Sequence, residues 1–212
     1  MLHSAGAAIL SLEDFEFDPN WYARDGIMGV AWNNGTGYPA GSLHGSFADQ
    51  DIPSPEFDAF RVDFSATDGS GGPWVGDYYS LYPGFTQFTF DFMAADILPS
   101  SFIIQISDGL NTFIRNLLPQ LSGTGAFLPI AIPLAYDGSW LGGSATQFSN
   151  TLGNVSFIDF QVVRNASGSQ NYFLDNFALN NESLGEPEPV TAVPEARMIQ
   201  MWGLAAFIIL TM

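Results

Sequence analysis

Four stretches of the chain alternate apolar and polar side chains with a period of two. In "FDAFRVDFSA" (57–66), Phe60, Val62 and Phe64 fall on one face and Arg61, Asp63 and Ser65 on the other. In "FTQFTFDFMA" (85–94), Phe88, Phe90 and Phe92 oppose Gln87, Thr89 and Asp91. "SFIIQISD" (101–108) keeps the period. So does "VSFIDFQVVRN" (155–165), where Phe157, Asp159, Gln161 and Val163 oppose Ile158, Phe160 and Val162. This period marks a strand buried on one face. Turn-forming runs such as "TDGSGGPW", "SDG" and "NASGSQN" bound these segments. A parallel sheet needs crossover helices, and no long stretch repeats at helical spacing. The pattern therefore predicts an all-β, antiparallel sandwich of about eight or nine strands. The apolar run 117–134, broken by three prolines, predicts a loop and then a short edge strand near "AFLPIAIPL". The expected core is Phe15, Phe60, Val62, Phe64, Phe88, Phe90, Phe92, Ile104, Ile106, Phe157, Val163, Phe177 and Leu179.

Composition narrows the partners. With 47% hydrophobic residues in a chain of 212, a full core is available. Five arginines and no lysine stand against 22 acidic residues, for a net charge of −17. Such a chain is repelled by phosphate backbones, so nucleic acid is not an expected partner. Docking on anionic lipid is disfavoured for the same reason. Solubility, cation binding or a neutral partner such as a sugar remain. The absence of cysteine removes disulfides, thiolate catalysis and zinc–thiolate sites together.

The body opens with "SLEDFEFDPNWY" (11–22) and closes with "SQNYFLDNFALN" (169–180). These motifs, with "FLPIAIPLAYDGSW" and "FSNTLGNVSFIDFQVV" between them, resemble the galactose-binding-like jelly roll of many carbohydrate-binding modules, over roughly residues 12 to 180. The resemblance implies adjacent first and last strands. It also implies a structural calcium ion where an early Glu meets a late Asp, here Glu16 and Asp175. Calcium takes six to eight hard oxygen ligands, and Glu13, Asp14, Glu16 and Asp18 crowd the first strand. By alternation Asp175 shares a face with Phe173, Phe177 and Leu179. A carboxylate on a core-facing side needs a cation or donors; the other reading places it near solvent or on backbone N–H groups.

Aromatic residues in glycine-rich loops carry the binding expectation. "GSGGPWVGDYYSLYPG" (69–84) holds Trp74, Tyr78 and Tyr79, "GVAWNNGTGYPAG" (29–41) holds Trp32, and "YDGSWLGG" (136–143) holds Trp140. Such rings can stack on a pyranose face while nearby Asp and Asn take its hydroxyls, giving an extracellular polysaccharide as the expected partner. They can equally cap the ends of the core. Little points to catalysis. His3 and His44 are far apart, no Gly-x-Ser-x-Gly elbow occurs, and Asp77, Asp91, Asp108 and Asp137 read as solvated carboxylates. The chain is not expected to be an enzyme; a matrix protein without a discrete ligand and a polysaccharide-active enzyme are the alternatives.

The chain ends in "AVPEARMIQMWGLAAFIILTM", after a Pro- and Glu-rich stretch that reads as an extended linker. Val193, Pro194 and Glu195 followed by an apolar helix resemble the PEP-CTERM sorting signal of Gram-negative bacteria. That family's partner is a membrane-embedded exosortase. Ala196 stands where the family has a second Pro, and the closing arginine cluster is missing, which suggests a truncated end. Residues 1–11 read as a leader remnant, 12–181 as the sandwich, 182–192 as the linker and 193–212 as the sorting and membrane segment. The resemblance implies export to the cell envelope, surface or matrix, with anchoring through the C-terminal hydrophobic helix.

Overall fold

A computed structural model describes residues 9–13, 21–37, 41–49, 56–63 and 74–181. Twelve strands and two α-helices lie among them. In chain order they are β1 Ile9–Glu13, β2 Tyr22–Ala23, β3 Gly29–Asn33, β4 Ser42–Phe47 and β5 Phe57–Asp63, then α1 Tyr78–Leu81. There follow β6 Gln87–Ala94, β7 Ser101–Ser107, β8 Thr112–Asn116, β9 Leu128–Pro133, β10 Trp140–Leu141, α2 Ala145–Leu152, β11 Phe157–Val163 and β12 Gln170–Asn180. Phe15, Phe64, Glu16, Val193, Pro194 and Glu195 lie outside the described residues, as do the expected linker and sorting segment.

The strands form two six-stranded antiparallel sheets. The first runs β3-β4-β12-β6-β9, with β1 also paired to β12; the second runs β10-β8-β7-β11-β5-β2. β12 pairs along much of its length with β6 on one side. On the other it pairs with β4 through Gln170–Leu174 and with β1 through Phe177–Asn180. The first and last strands are thus neighbours, as the motif resemblance implies. β1 begins at Ile9, inside the stretch read as a leader remnant. β9 is an edge strand, as its prolines require.

Between the sheets lies a core of aromatic rings. Phe90 of the first sheet sits 4.7 Å from Phe160 of the second and 5.8 Å from Phe177 on its own side. Phe92 stacks on Phe102 at 4.1 Å. Ring pairs in this range add about 0.5–1.5 kcal/mol each beyond the area they bury. Gly45 makes room for one of them: a Cβ there would stand 2.4 Å from the Phe60 ring.

Two facing assignments differ from the sequence reading. Phe157 and Val163 lie on the outer face of β11, while Ile158, Phe160 and Val162 are fully buried. The reason is chemical. One face of this strand is wholly apolar, whereas the other carries Asp159 and Gln161, whose burial in a core is costly. The second difference is at β12. Tyr172 and Leu174 point inward, then the register slips between Asp175 and Ala178, and Phe177 and Leu179 point inward instead. Asp175 therefore shares the outer face with Phe173 and is separated from Phe177 and Leu179 by a β-bulge.

The helix α2 was not legible from periodicity. It is eight residues long, begins at a capping box between Ser144 and Gln147, and buries Phe148, Thr151 and Leu152.

Candidate functional site

The outer face of the second sheet carries a row of side chains in register. Tyr22, Arg61, Asp159, Gln105, Ile114 and Leu141 come from six successive strands. Five strand spacings make this row about 24 Å long. At its centre Arg61 holds Asp159 in a two-pronged contact, Nε to Oδ1 and NH2 to Oδ2, both 2.7 Å. This planar pairing fixes both groups more firmly than a single bond. Arg24 approaches the same carboxylate at 3.5 Å and donates twice to Asp25, at 2.9 and 2.6 Å.

The local chain explains how Arg24 gets there. Asp58, fully buried, accepts backbone N–H bonds from Asp25, Ile27 and Met28 at 2.7–2.8 Å. It pins the turn after β2, so that the Arg24 side chain lies over the sheet.

Aromatic rings frame the arginines. The Arg61 guanidinium lies 4.3 Å from the centre of the Phe157 ring, and that of Arg24 lies 5.6 Å from Phe57. Phe57 is 43% exposed. Beside them Gln105 donates to Gln161 at 3.0 Å, and the Tyr22 hydroxyl donates to Asp63 at 2.7 Å. The hydrogen bond to Asp159 raises the Arg61 pKa, and that to Asp25 raises the Arg24 pKa. Both stay cationic at any working pH. With Asp25, Asp63 and Asp159 nearby, the patch carries no net positive charge. It offers fixed donors and acceptors between flat apolar rings, on strands and on the pinned turn after β2.

A groove of about 640 Å³ crosses the outer face of the first sheet, lined by Gln87, Thr89, Asp91, Ala131, Asn176 and Asn180 among others. Among the described residues its one aromatic ring, Phe90, points into the core. The second sheet is therefore the better platform for a ligand with flat apolar faces.

The residues expected from sequence to bind ligand do not form one site. Trp74, Tyr78 and Trp140 are core residues, 3%, 3% and 1% exposed. The Tyr78 hydroxyl donates to the Trp74 carbonyl, and the Trp140 ring packs on Phe148 and beneath Arg115. Burying a ring this large yields more than stacking it on a solvated ligand. Trp32 is half-buried on the edge strand β3. Tyr79 alone is well exposed, and it shares an end cleft with Tyr78. Asp175 is 1% exposed beneath the loop that contains Gly37, where a Cβ would stand 2.8 Å from its Oδ2. Asp91 stands opposite it in register and accepts from the Asn176 amide at 2.8 Å. Among the described residues no group of three or more His, Cys, Asp or Glu is close enough to hold a metal ion. Asp175 accepts the backbone N–H of Asn176 at 2.8 Å, and Glu16, the expected second calcium ligand, lies outside the described residues.

The four carboxylates weighed for catalysis each have another task. Asp77 caps α1, Asp91 takes the Asn176 amide, Asp108 holds the turn after β7, and Asp137 pairs with Arg115. The sequence pattern places Arg61 on a polar strand face but Asp159 on the face of Phe157 and Val163, which it assigns to the core. What it missed is that register sets them side by side.

No protein-family model and no curated protein matches the sequence. Solved structures do match in fold. A family 11 carbohydrate-binding module from Clostridium thermocellum, in complex with a β-1,3-1,4-mixed-linked tetrasaccharide, aligns with a TM-score of 0.51 at 17% identity, covering 83% of this chain and 96% of the module. A family 30 carbohydrate binding module aligns at 0.54 and 10% identity, covering 86% and 92%. An exo-β-agarase aligns at 0.56 and 11% identity; 82% of this chain spans only 24% of that enzyme. At these identities the likeness shows the fold, an antiparallel β-sandwich similar to that of carbohydrate-binding modules. Among the described residues no helix is long and apolar enough to cross a membrane.

Proposed function

We propose that the chain is a non-catalytic polysaccharide-binding protein, and that the outer face of the second sheet is where the glycan lies. One observation carries this reading. The Arg24–Arg61–Asp159 cluster, flanked by Gln105, Gln161 and the rings of Phe57 and Phe157, is held rigid and electrically balanced on the outer sheet face, with Asp159 buried beneath the two partly exposed arginines. A neutral sugar polymer presents hydroxyls at its edges and C–H surfaces on its faces, and this patch offers a partner for each. The family 11 module, solved with a β-glucan tetrasaccharide, supports the choice of ligand class.

Affinity electrophoresis of the full chain against mixed-linked β-glucan and agarose tests it. At least one polymer retards the wild type, and Phe57→Ala and Gln161→Ala weaken retention roughly ten- to a hundredfold, the span expected when a hydrogen bond to a charged network or an equivalent ring contact is lost. Retention unaffected by either change would move the site elsewhere. No retention by any neutral polymer favours the matrix protein without a discrete ligand.

The same reading includes export to the cell envelope or matrix through the segment 193–212, exosortase as processing partner, and a structural calcium at Glu16 and Asp175. The support for these is the Val193-Pro194-Glu195 motif with its apolar run, and the buried Asp175 carboxylate beside Asp91.

A further inference from the structure

A cleft of about 390 Å³ opens at the end of the sandwich and, among the described residues, shares no lining residue with the face just described. The rings of Tyr79, Tyr82 and Phe85 form its walls, and Leu134, Leu152 and Leu179 its floor. Tyr78 closes the back, buried against Phe88. The size is near the lower end for small-ligand pockets, about 300–1,000 Å³.

The walls are fixed before any ligand arrives. Asp77 caps α1, accepting the N–H groups of Tyr79 and Ser80 at 3.0 and 3.3 Å. The Tyr79 hydroxyl bonds Ser149 of α2 at 2.9 Å, which ties the exposed ring to a second element. Tyr82 packs edge-on against Tyr78 at 5.4 Å. Such preorganisation lowers the entropic cost of binding.

The lining chemistry selects the occupant. Among the described residues none that lines the cleft is charged, so neither a phosphate nor a uronate finds a counter-charge. Phenol rings bearing hydroxyls, with Thr86 at the rim, suit a neutral ring that is apolar on its faces and hydroxylated at its edge. A cleft of about 390 Å³ has room for the end of a chain and not for a long run of units.

We infer that this cleft is a second glycan site, taking the terminal one or two units of a neutral polysaccharide chain. The choice of ligand rests on the sheet-face reading. Two sites of different kind on one domain would let a single chain hold both the middle and the end of a polymer, and linked binding of that sort raises overall avidity.

Calorimetric titration of the full chain with cellobiose, laminaribiose and agarobiose tests the inference, with mixed-linked β-glucan in parallel. At least one disaccharide binds the wild type. Tyr79→Ala, which removes an exposed wall, and Ala135→Trp, which fills the mouth from an exposed position, each weaken it by about tenfold or more. The ranking also differs between ligands: Tyr79→Ala harms the disaccharide more than the polymer, and Phe57→Ala does the reverse. Disaccharide affinity unchanged in both cleft variants overturns the inference. So does retention of the polymer with no disaccharide bound, an outcome that leaves the sheet-face reading standing. If neither ligand binds, both readings fall.

Discussion

Asn176 holds φ at 51°, the one positive value at a non-glycine position among the described residues. Asparagine tolerates this left-handed conformation better than most side chains. Its own amide then reaches Asp91. The effect on the strand is larger than the residue. Before it, even-numbered side chains of β12 enter the core; after it, odd-numbered ones do. Alternation read from sequence runs straight through such a bulge, which is why Asp175 was expected beside Phe177. Its true neighbours are Asp91 and the loop holding Gly37. Asp175 accepts the Asn176 N–H at 2.8 Å and Asp91 accepts the Asn176 side-chain amide at 2.8 Å, so this one residue serves both carboxylates. If Glu16 and Asp175 hold calcium, adding EDTA lowers the melting temperature, because an ion bound only by the folded state stabilises it. An unchanged melting curve, and no calcium in the purified chain, would sink the assignment.

At the scale of elements, Asp108 joins three of them. It lies in the turn between β7 and β8, accepts the N–H groups of Leu110 and Asn111 at 2.8 and 2.6 Å, and takes the Thr151 hydroxyl of α2 at 2.9 Å. Burial opposes its ionisation, but the hydrogen bonds from Asn111, Leu110 and Thr151 outweigh that and hold its pKa at about 2. The folded value lies below the ordinary 3.8, so the carboxylate stabilises the fold fully above about pH 4–5. That contribution is lost as the pH falls through about 2. Asp108→Asn is therefore less stable than wild type at neutral pH, and thermal melts should show the gap closing between pH 4 and 2. A gap independent of pH would mean the turn does not depend on the charge. The elements themselves were legible in unequal measure. β5, β6, β7 and β11 announce themselves by period. β2 and β10 are two residues each, too short for any period, and α2 shows only its capping box. Of the sheet-face site, Arg61 and Asp63 are legible on a polar strand face; Asp159 and Gln161 are not, because the alternation puts them with Phe157 and Val163 on the face read as core. Which of these meet is a matter of register between β5 and β11, 98 positions apart at Arg61 and Asp159, and local sequence does not encode it. Loop aromatics such as Trp74 and Trp140 looked like ligand platforms because their segments are glycine-rich. Their rings fold back into the core.

For the molecule as a whole, the core among the described residues is continuous from Trp21 to Leu179. Deleting residues 186–212 should then leave the melting temperature unchanged and move the protein from the membrane to the soluble fraction of the producing cell. The 15 uncharged residues from Met198 to Met212 carry far more apolar surface than a single lipid anchor. Unfolding on deletion would make the segment part of the fold and end the sorting proposal. The placement of β12 has a further consequence, for the order of folding. All six strands of the second sheet have been synthesised once Val163 is made, and their pairings can form without anything downstream. The first sheet is different. Its central strand is the last to leave the ribosome, and β4 and β6, more than 30 residues apart in the chain, have no partner in common until it arrives. Contacts this distant form slowly, and an unfilled gap between two strand edges invites pairing with other chains. The nascent protein thus spends its longest vulnerable interval as half a sandwich, and closing the second half waits on eleven residues.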